Sequence, residues 1–268
     1  MILKDQGIVL RTVPFGNTSR IVVWLSADGG KIATAAKGSQ REKSPLLGQY
    51  DLFYTCEILY YVREQRHLHL LKECAPIAPR PALRGDWRAC AAASYAAWLY
   101  DRILPPGPVE PGLFRLLDDT LDDLAGRTPG PAFLPRFELR LLRLLGLAPD
   151  WARCGRCRRD LLLPGAPGAV AAHLDIKAAR LLCPDCAAGG DGSSGGVTAG
   201  ALSLGRAALE ILSGITAGRS IPAAIPASVY REIREATGLW LERHADIPPQ
   251  ARNTALEILE NTPPARAM

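Results

Sequence analysis

Short apolar runs broken by turn residues recur over residues 7–75, the pattern of β-strands. Runs rich in Ile, Val and Leu cover 7–13 and 19–26, separated by Pro14-Phe15-Gly16-Asn17, whose residues suit a turn. Asp28-Gly29-Gly30 then reads as a tight hairpin into a third strand over 31–37. A longer loop, 38–48, precedes strands over 50–62 and 67–73. Five short strands with a loop after the third predict a small barrel. In the last strand His67 and His69 share one face and Leu68 and Leu70 the other, as in a wall wet on one side. Alternation also forbids Tyr60 and Tyr61 from both pointing inward, and the core is the default place for Trp24 and Phe53.

Beyond the proline-rich stretch 76–81 the period lengthens to that of helices. Trp87, Ala91, Ser94 and Trp98 predict the seam of a first helix, and the alanines around them allow close packing. A second helix, 113–124, carries Asp118, Asp119, Asp122 and Asp123; these spread over one face without converging and predict a solvated acidic surface rather than a cation site. In a third, 133–145, Phe133, Phe137, Leu141 and Leu144 form an apolar stripe beside a ridge of Arg136, Arg140 and Arg143. That ridge suits an acidic peptide with an apolar end; solvated arginine is the alternative. Helical periodicity returns over 203–215 and 228–243, where Val229, Ile233, Ala236 and Trp240 share a face, and again over 250–260. The Gly, Ala and Ser of 187–200 compose a flexible tether. The predicted plan is α+β: a barrel domain over 1–78, then a mainly helical domain over 79–268 with a cysteine knuckle inserted at 154–186.

That knuckle rests on Cys154-x-x-Cys157 and Cys183-x-x-Cys186. Two such turns bring four thiolates to one tetrahedral ion and leave no open position for water, so a structural Zn2+ is expected. Buried or disulfide-bonded cysteine pairs are the alternative. The intervening 25 residues predict an inserted loop or short hairpin. His173 within it is superfluous as a ligand if four sulfurs close the shell. Cys56, Cys74 and Cys90 stand alone in apolar surroundings, and no signal-like or membrane-length apolar run is seen, a pattern expected of a soluble cytoplasmic protein.

The net charge is +5, and residues 1–80 hold most of it, with eleven Lys and Arg against seven Asp and Glu. Lys31, Lys37, Arg41 and Lys43 lie close in sequence with only Glu42 opposing, and Arg11 and Arg20 can join them from neighbouring strands. Such a cluster suits a polyanion, since each neutralised phosphate releases counterions; a solvated loop is the plain alternative. No P-loop, GxSxG, HExxH or dinucleotide fingerprint is present, and binding without catalysis is the class expected. A zinc-stabilised protein adaptor and an RNA-binding factor remain open beside a DNA-binding protein.

One combination points further. The run Gly7-Ile-Val-Leu, then Phe15-Gly16, Ile21-Val22-Val23-Trp24-Leu25, Gly30-Lys31 and Ala36-Lys37-Gly38-Ser39-Gln40-Arg41-Glu42-Lys43-Ser44 resembles the N-terminal oligonucleotide-binding (OB) barrel of the recombination mediator family RecO. Arg136-Phe137-Glu138-Leu139, leading through Leu144-Leu145-Gly146-Leu147-Ala148-Pro149 to Cys154, resembles that family's central helix entering its zinc motif. Asn17 stands where the family often has an acidic residue, and the Gly-rich tether is long for it. The resemblance implies a bacterial DNA-repair protein, nucleoid-associated during repair, without enzymatic turnover. It would bind single- and double-stranded DNA, anneal complementary strands, and act with RecR to help RecA displace single-strand-binding protein. It further implies that Lys37, Arg41 and Lys43 contact phosphates, with Lys31, Arg11 and Arg20 in support, and that Arg136 and Arg140 receive the acidic C-terminal tail of single-strand-binding protein.

Overall fold

The computed structural model describes residues 1–63, 68–163, 170–178, 180–189, 201–219, 222 and 225–260. Strands β1 (Ile2–Phe15), β2 (Ser19–Ser26), β3 (Gly30–Ala36), β4 (Thr55–Tyr61) and β5 (Leu68–Ala78) close a barrel in the order β1-β2-β3-β5-β4. β1 is longer than its apolar run because it serves two neighbours, pairing through Ile2–Ile8 with β4 and through Gly7–Phe15 with β2. A register shift between Val9 and Arg11 lets it bend between them. β3 and β5 run parallel through Ala33–Ala35 and Leu68–Leu70, and every other barrel pair is antiparallel. This is the five-stranded OB arrangement.

Its core is built from Val9, Val22, Trp24, Ile32, Tyr50, Ile58, Tyr60 and Leu71. Each such side chain contributes about 1.5–3 kcal/mol by leaving water. Trp24 donates Nε1 to Thr34 Oγ1 at 2.8 Å inside the barrel, so its one polar atom is satisfied. Tyr60 is buried and Tyr61 half out, as alternation requires, and Trp24 and Phe53 are core residues. Three details differ from expectation. Residues 50–54 form turns rather than strand, with Phe53 at φ 70°. His69 is half-buried and stacks on Tyr60 at 5.4 Å, so that face is not a wet wall; His67 lies outside the described residues. Cys56 and Cys74 do not stand alone, because strand pairing brings both sulfurs to the Gln49 carbonyl, at 3.6 and 3.5 Å. A hydrogen bond with Cys56, together with burial, pushes the Cys74 thiol far up.

The chain divides into two compact units, Met1–Pro131 with Ala251 onward, and Ala132–Gln250. Besides the barrel, the first holds α1 (Trp87–Ile103), α2 (Pro111–Gly126) and nearly all of α7 (Pro249–Glu260). Asp86 caps α1, accepting from the amides of Arg88 and Ala89 at 2.9 and 3.3 Å. The seam of α1 is not the predicted one. Ala89, Ala92, Ala93, Ala96, Ala97, Leu99 and Tyr100 are buried, whereas Trp87 is 51% exposed beneath the Arg88 guanidinium and Ser94 faces solvent. Two stripes of α1 share the helical period, and the one rich in alanine allows the closest approach of backbones.

The acidic face of α2 also needs correction, since Asp118 and Asp122 are not merely solvated. They receive a buried cation, Arg80, whose side chain is 3% exposed. Arg80 Nη2 and Nε bond Asp118 and Asp122 at 2.6 Å each, while Nη1 donates to the Phe53 carbonyl at 2.9 Å and to Thr55 Oγ1 at 2.8 Å. Thr55 in turn donates to Asp118 at 2.6 Å. The guanidinium thus ties the start of β4 to α2, with its planar fork satisfied on both sides.

The second unit contains α3 (Phe133–Leu144), a three-stranded sheet of β6 (Val170–Asp175), β7 (Arg180–Leu182) and β8 (Leu202–Gly205) in the order β7-β6-β8, the short α4 (Pro184–Ala187), α5 (Arg206–Thr216) and α6 (Ala227–His244). The hairpin expected between the cysteine pairs is β6–β7. Ser203 to Gly205 is strand rather than helix because its backbone pairs with β6. Most of the predicted tether, 190–200, lies outside the described residues. No helix among the described residues is long and apolar enough to cross a membrane.

Candidate functional site

The cationic loop grows directly out of β3. β3 ends at fully buried Ala36, Lys37 beyond it is exposed, and Gly38 then adopts φ +63°, a sign that favours glycine and that reverses the chain. The reversal is followed by short turns, with Arg41 N donating to Gly38 O at 3.1 Å and Ser44 N to Arg41 O at 2.9 Å. Moorings hold the loop from three sides. Gly38 N donates to Ser19 Oγ at 3.0 Å, Gln40 N to the Thr18 carbonyl at 2.9 Å, and the Tyr50 hydroxyl to buried Ser39 Oγ at 2.7 Å. Ser39 points in; Lys37, Arg41 and Lys43 are exposed. Among the described residues none of these three side chains has an ion-pair or hydrogen-bond partner. The arrangement presents three free cations on a braced backbone, and Arg20, half-buried and paired with Ala36 across β2 and β3, stands at the same corner.

Lys31 and Arg11 are not brought into this group. Both bind Asp101 of α1, Arg11 Nε at 2.8 Å and Lys31 Nζ at 3.1 Å, and Lys31 also donates to the carbonyls of Asp101 and Leu104. With its side chain 15% exposed, Lys31 is engaged with α1. The two border a separate cleft of about 640 Å³ also lined by Leu3, Tyr60, Arg63 and His69. Nothing in the local sequence separates these two cations from Lys37, because Asp101 lies 70 and 90 residues away.

In the second unit Arg136, Arg140 and Arg143 are all exposed along α3, opposite buried Leu134, Phe137, Leu141 and Leu142. Phe133 and Phe137 stack with parallel rings 6.1 Å apart. A side chain at Gly218, after α5, would meet Arg143 Nη1 at 3.0 Å, so Arg143 lies against that helix end, whose carbonyls favour a cation.

The four cysteines converge. Sγ atoms of Cys154, Cys157, Cys183 and Cys186 all lie within 4.8 Å of one another, a set that can hold a metal ion. His173 is not among them; its ring meets Ser203 Oγ at 3.3 Å. The first turn closes through Arg158 N to Cys154 O at 3.0 Å and is clamped to β7 by Gly155 N to Leu181 O at 2.7 Å. Only glycine fits there, for a Cβ on Gly155 would stand 2.8 Å from Arg180 Cβ. Burial raises the Cys154 thiol, but hydrogen bonds from the amides of Cys157, Cys183 and Arg156 outweigh it and bring it to about 6. Cys186 is pushed up to about 12 by burial and by its neighbouring sulfurs. Amides thus favour one thiolate, while the remaining sulfurs gain from a cation among them.

Two family models cover most of the chain: Recombination protein O N terminal matches residues 1–80, and Recombination protein O C terminal matches residues 84–253. The DNA repair protein RecO of Anaeromyxobacter sp. strain K is 34% identical over 259 residues, 96% of either chain. That of Anaeromyxobacter dehalogenans strain 2CP-1 is 34% identical over 258 residues, 95% of this chain and 96% of its own. That of Geobacter metallireducens is 32% identical over 203 residues, 76% of this chain and 79% of its own. Matched across its barrel, its helices and its cysteine knuckle alike, the chain belongs to the RecO family, with a role in DNA repair and recombination.

Proposed function

We propose that this protein is a non-enzymatic recombination mediator that grips single- and double-stranded DNA by its phosphates through Lys37, Arg41 and Lys43, supported by Arg20. The observation that carries the reading is the braced loop whose three cations have no partner among the described residues. Annealing requires two phosphate backbones to approach, and a rigid cationic corner lowers their repulsion without reading sequence. In this reading the protein anneals complementary strands and acts with RecR to load RecA onto DNA coated by single-strand-binding protein. The functional division falls at residue 78, the barrel holding DNA. Lys31 and Arg11 act by fixing the barrel against α1, more than by touching phosphate.

The cysteine site is proposed to hold a structural Zn2+ on Cys154, Cys157, Cys183 and Cys186. Zinc–sulfur bonds of about 2.3 Å in a tetrahedron put sulfurs about 3.8 Å apart, and Cys157 and Cys183 Sγ are 3.8 Å apart. Four sulfurs leave no position for a reacting water.

The test of the DNA reading is the triple replacement Lys37→Glu, Arg41→Glu, Lys43→Glu. Affinity for single-stranded and duplex DNA is expected to fall about a hundredfold at moderate salt. The slope of log affinity against log salt is expected to shrink by about 3, near one unit per lost phosphate contact. Metal content and melting temperature are expected to stay unchanged, because all three side chains are exposed. Unaltered binding by this variant removes the loop from the interface. A separate variant, Arg136→Glu with Arg140→Glu, is expected to keep DNA affinity and to lose at least tenfold in binding the acidic C-terminal tail peptide of single-strand-binding protein, measured by fluorescence anisotropy. Retained peptide binding moves that site off α3.

A further inference from the structure

Phe15 ends β1 at the tip of the β1–β2 hairpin and is 45% exposed. The chain turns immediately after it, with Gly16 at φ +70°. Among the described residues the ring has no aromatic or cation partner and lies outside the barrel core. More than half of its surface is covered at the turn, but the barrel core does not account for the face it leaves open.

Its position does. Phe15 is the strand partner of Ser19, and Ser19 Oγ is the acceptor that holds Gly38. The adjacent Thr18 carbonyl holds Gln40. The turn that carries Phe15 is therefore hydrogen-bonded to the loop that carries Lys37, Arg41 and Lys43, which puts the residue on a segment braced to those cations. Cations alone attract any phosphate backbone, paired or unpaired. An exposed aromatic face adds something that only an unpaired base can use, because bases within a duplex already have both faces stacked.

We propose that Phe15 is a stacking platform for an unpaired nucleobase of the strand whose phosphates the loop holds. The inference rests on the loop being the phosphate-gripping element. It deepens that reading by giving the site one contact that only an unpaired strand can use. Any base would serve, since every base offers a π-face. In annealing, such a platform would hold a base out of random coil while its partner strand arrives, and would release it once it is paired.

The experiment uses the full-length protein with a labelled single-stranded oligonucleotide and a duplex of equal length. Phe15→Ala is expected to weaken single-strand binding about tenfold, the typical loss of one aromatic–base stack, and to leave duplex affinity and both salt slopes unchanged. Phe15→Trp is expected to restore single-strand binding, and an oligonucleotide containing 2-aminopurine is expected to lose part of its fluorescence change with Phe15→Ala. Tyr61→Ala is the control: Tyr61 is similarly exposed, at 38%, but pairs with Ile2 at the opposite end of β1, and it is expected to bind normally. Equal losses on single strand and duplex would show that Phe15 only shapes the hairpin, and no loss on either would show that it is idle; both overturn the inference. If Phe15→Ala is silent while the triple glutamate variant still loses DNA, the stacking idea alone fails. If the triple variant binds normally, the loop reading fails first.

Discussion

Replacing Arg80 with methionine is expected to lower the stability of the barrel-containing unit by about 3 kcal/mol, the low end for breaking a buried charge network. In melting temperature this is a drop of roughly 6–12 °C for a unit of this size. The low end applies because Asp122 is 61% exposed and Asp118 31%, so water takes over part of what the guanidinium gave them. The Phe53 carbonyl and Thr55 hydroxyl have no such recourse, since the bonds they accept from Arg80 are buried. Lysine is expected to recover less than half of the loss, because one ammonium cannot reach four acceptors set around a planar fork. The backbone offers an internal check. Arg80 sits at φ 44°, ψ 56°, a left-handed conformation that costs a non-glycine residue about 1 kcal/mol. Arg80→Gly and Arg80→Ala lose the same side-chain network, yet the glycine variant is expected to be the more stable by about that amount. Chemical denaturation of the four variants decides the matter. A methionine variant within about 0.5 kcal/mol of the parent, the ordinary range for a surface change, would mean that the network holds nothing.

Arg80 also marks where the sequence stops being legible. The barrel was readable because short runs rich in Ile, Val and Leu are punctuated by turn residues, and the loop because its cations are neighbours in sequence. The parallel pairing of β3 with β5 left no local trace, since it joins residues some 35 positions apart. Arg80 stands in a proline-rich connection, and its partners are 25 to 42 residues away; no periodicity announces such a meeting. The same holds for Cys56 and Cys74, which share one carbonyl only because β4 and β5 fold together. On α1 the period was read correctly and the face wrongly: alanine carries little hydrophobic signal, yet its small size lets the helix approach most closely. Among the site residues, Lys37, Arg41 and Lys43 followed from composition, whereas the engagement of Lys31 and Arg11 by Asp101 required the fold. Phe15 was visible as one barrel aromatic among several, and only the hydrogen bonds of its turn to the loop distinguish it.

The cysteine knuckle was the most legible part, and its dependence on metal is the second large expectation. Removal of the ion by a chelator is expected to unfold the segment around Trp151–Leu161 and β6–β7 while the barrel, which closes its own core, keeps its structure and its DNA affinity. Apparent binding energies of roughly 10–16 kcal/mol for structural zinc exceed what a hairpin and one clamped turn can supply by themselves. Four thiolates around a divalent ion carry a net charge of −2, and Arg153, Arg156, Arg158 and Arg159 surround them in sequence. The Arg159 guanidinium, paired with Asp185, is held above its ordinary value by that carboxylate and by the Cys183 and Cys157 sulfurs. Arg158 and Arg159 are paired with Asp150 and Asp185, so these two cations are engaged within the knuckle. Cysteine holds metal as thiolate, so lowering the pH is expected to protonate the four sulfurs and release a bound ion. Cys154→Ser is expected to cost more than Cys157→Ser, since Cys154 is fully buried and its sulfur accepts the Cys183 amide at 3.3 Å. Gly155→Ala keeps all four ligands but forces the turn off β7, and is expected to weaken metal affinity about 10–100-fold. The reporters are metal analysis, hydrogen exchange, and the emission of Trp151, which is buried 6.1 Å from Trp240. Purified protein free of metal, with the knuckle nonetheless protected from exchange, would show that the four sulfurs pack as thiols and that the hairpin stands without an ion.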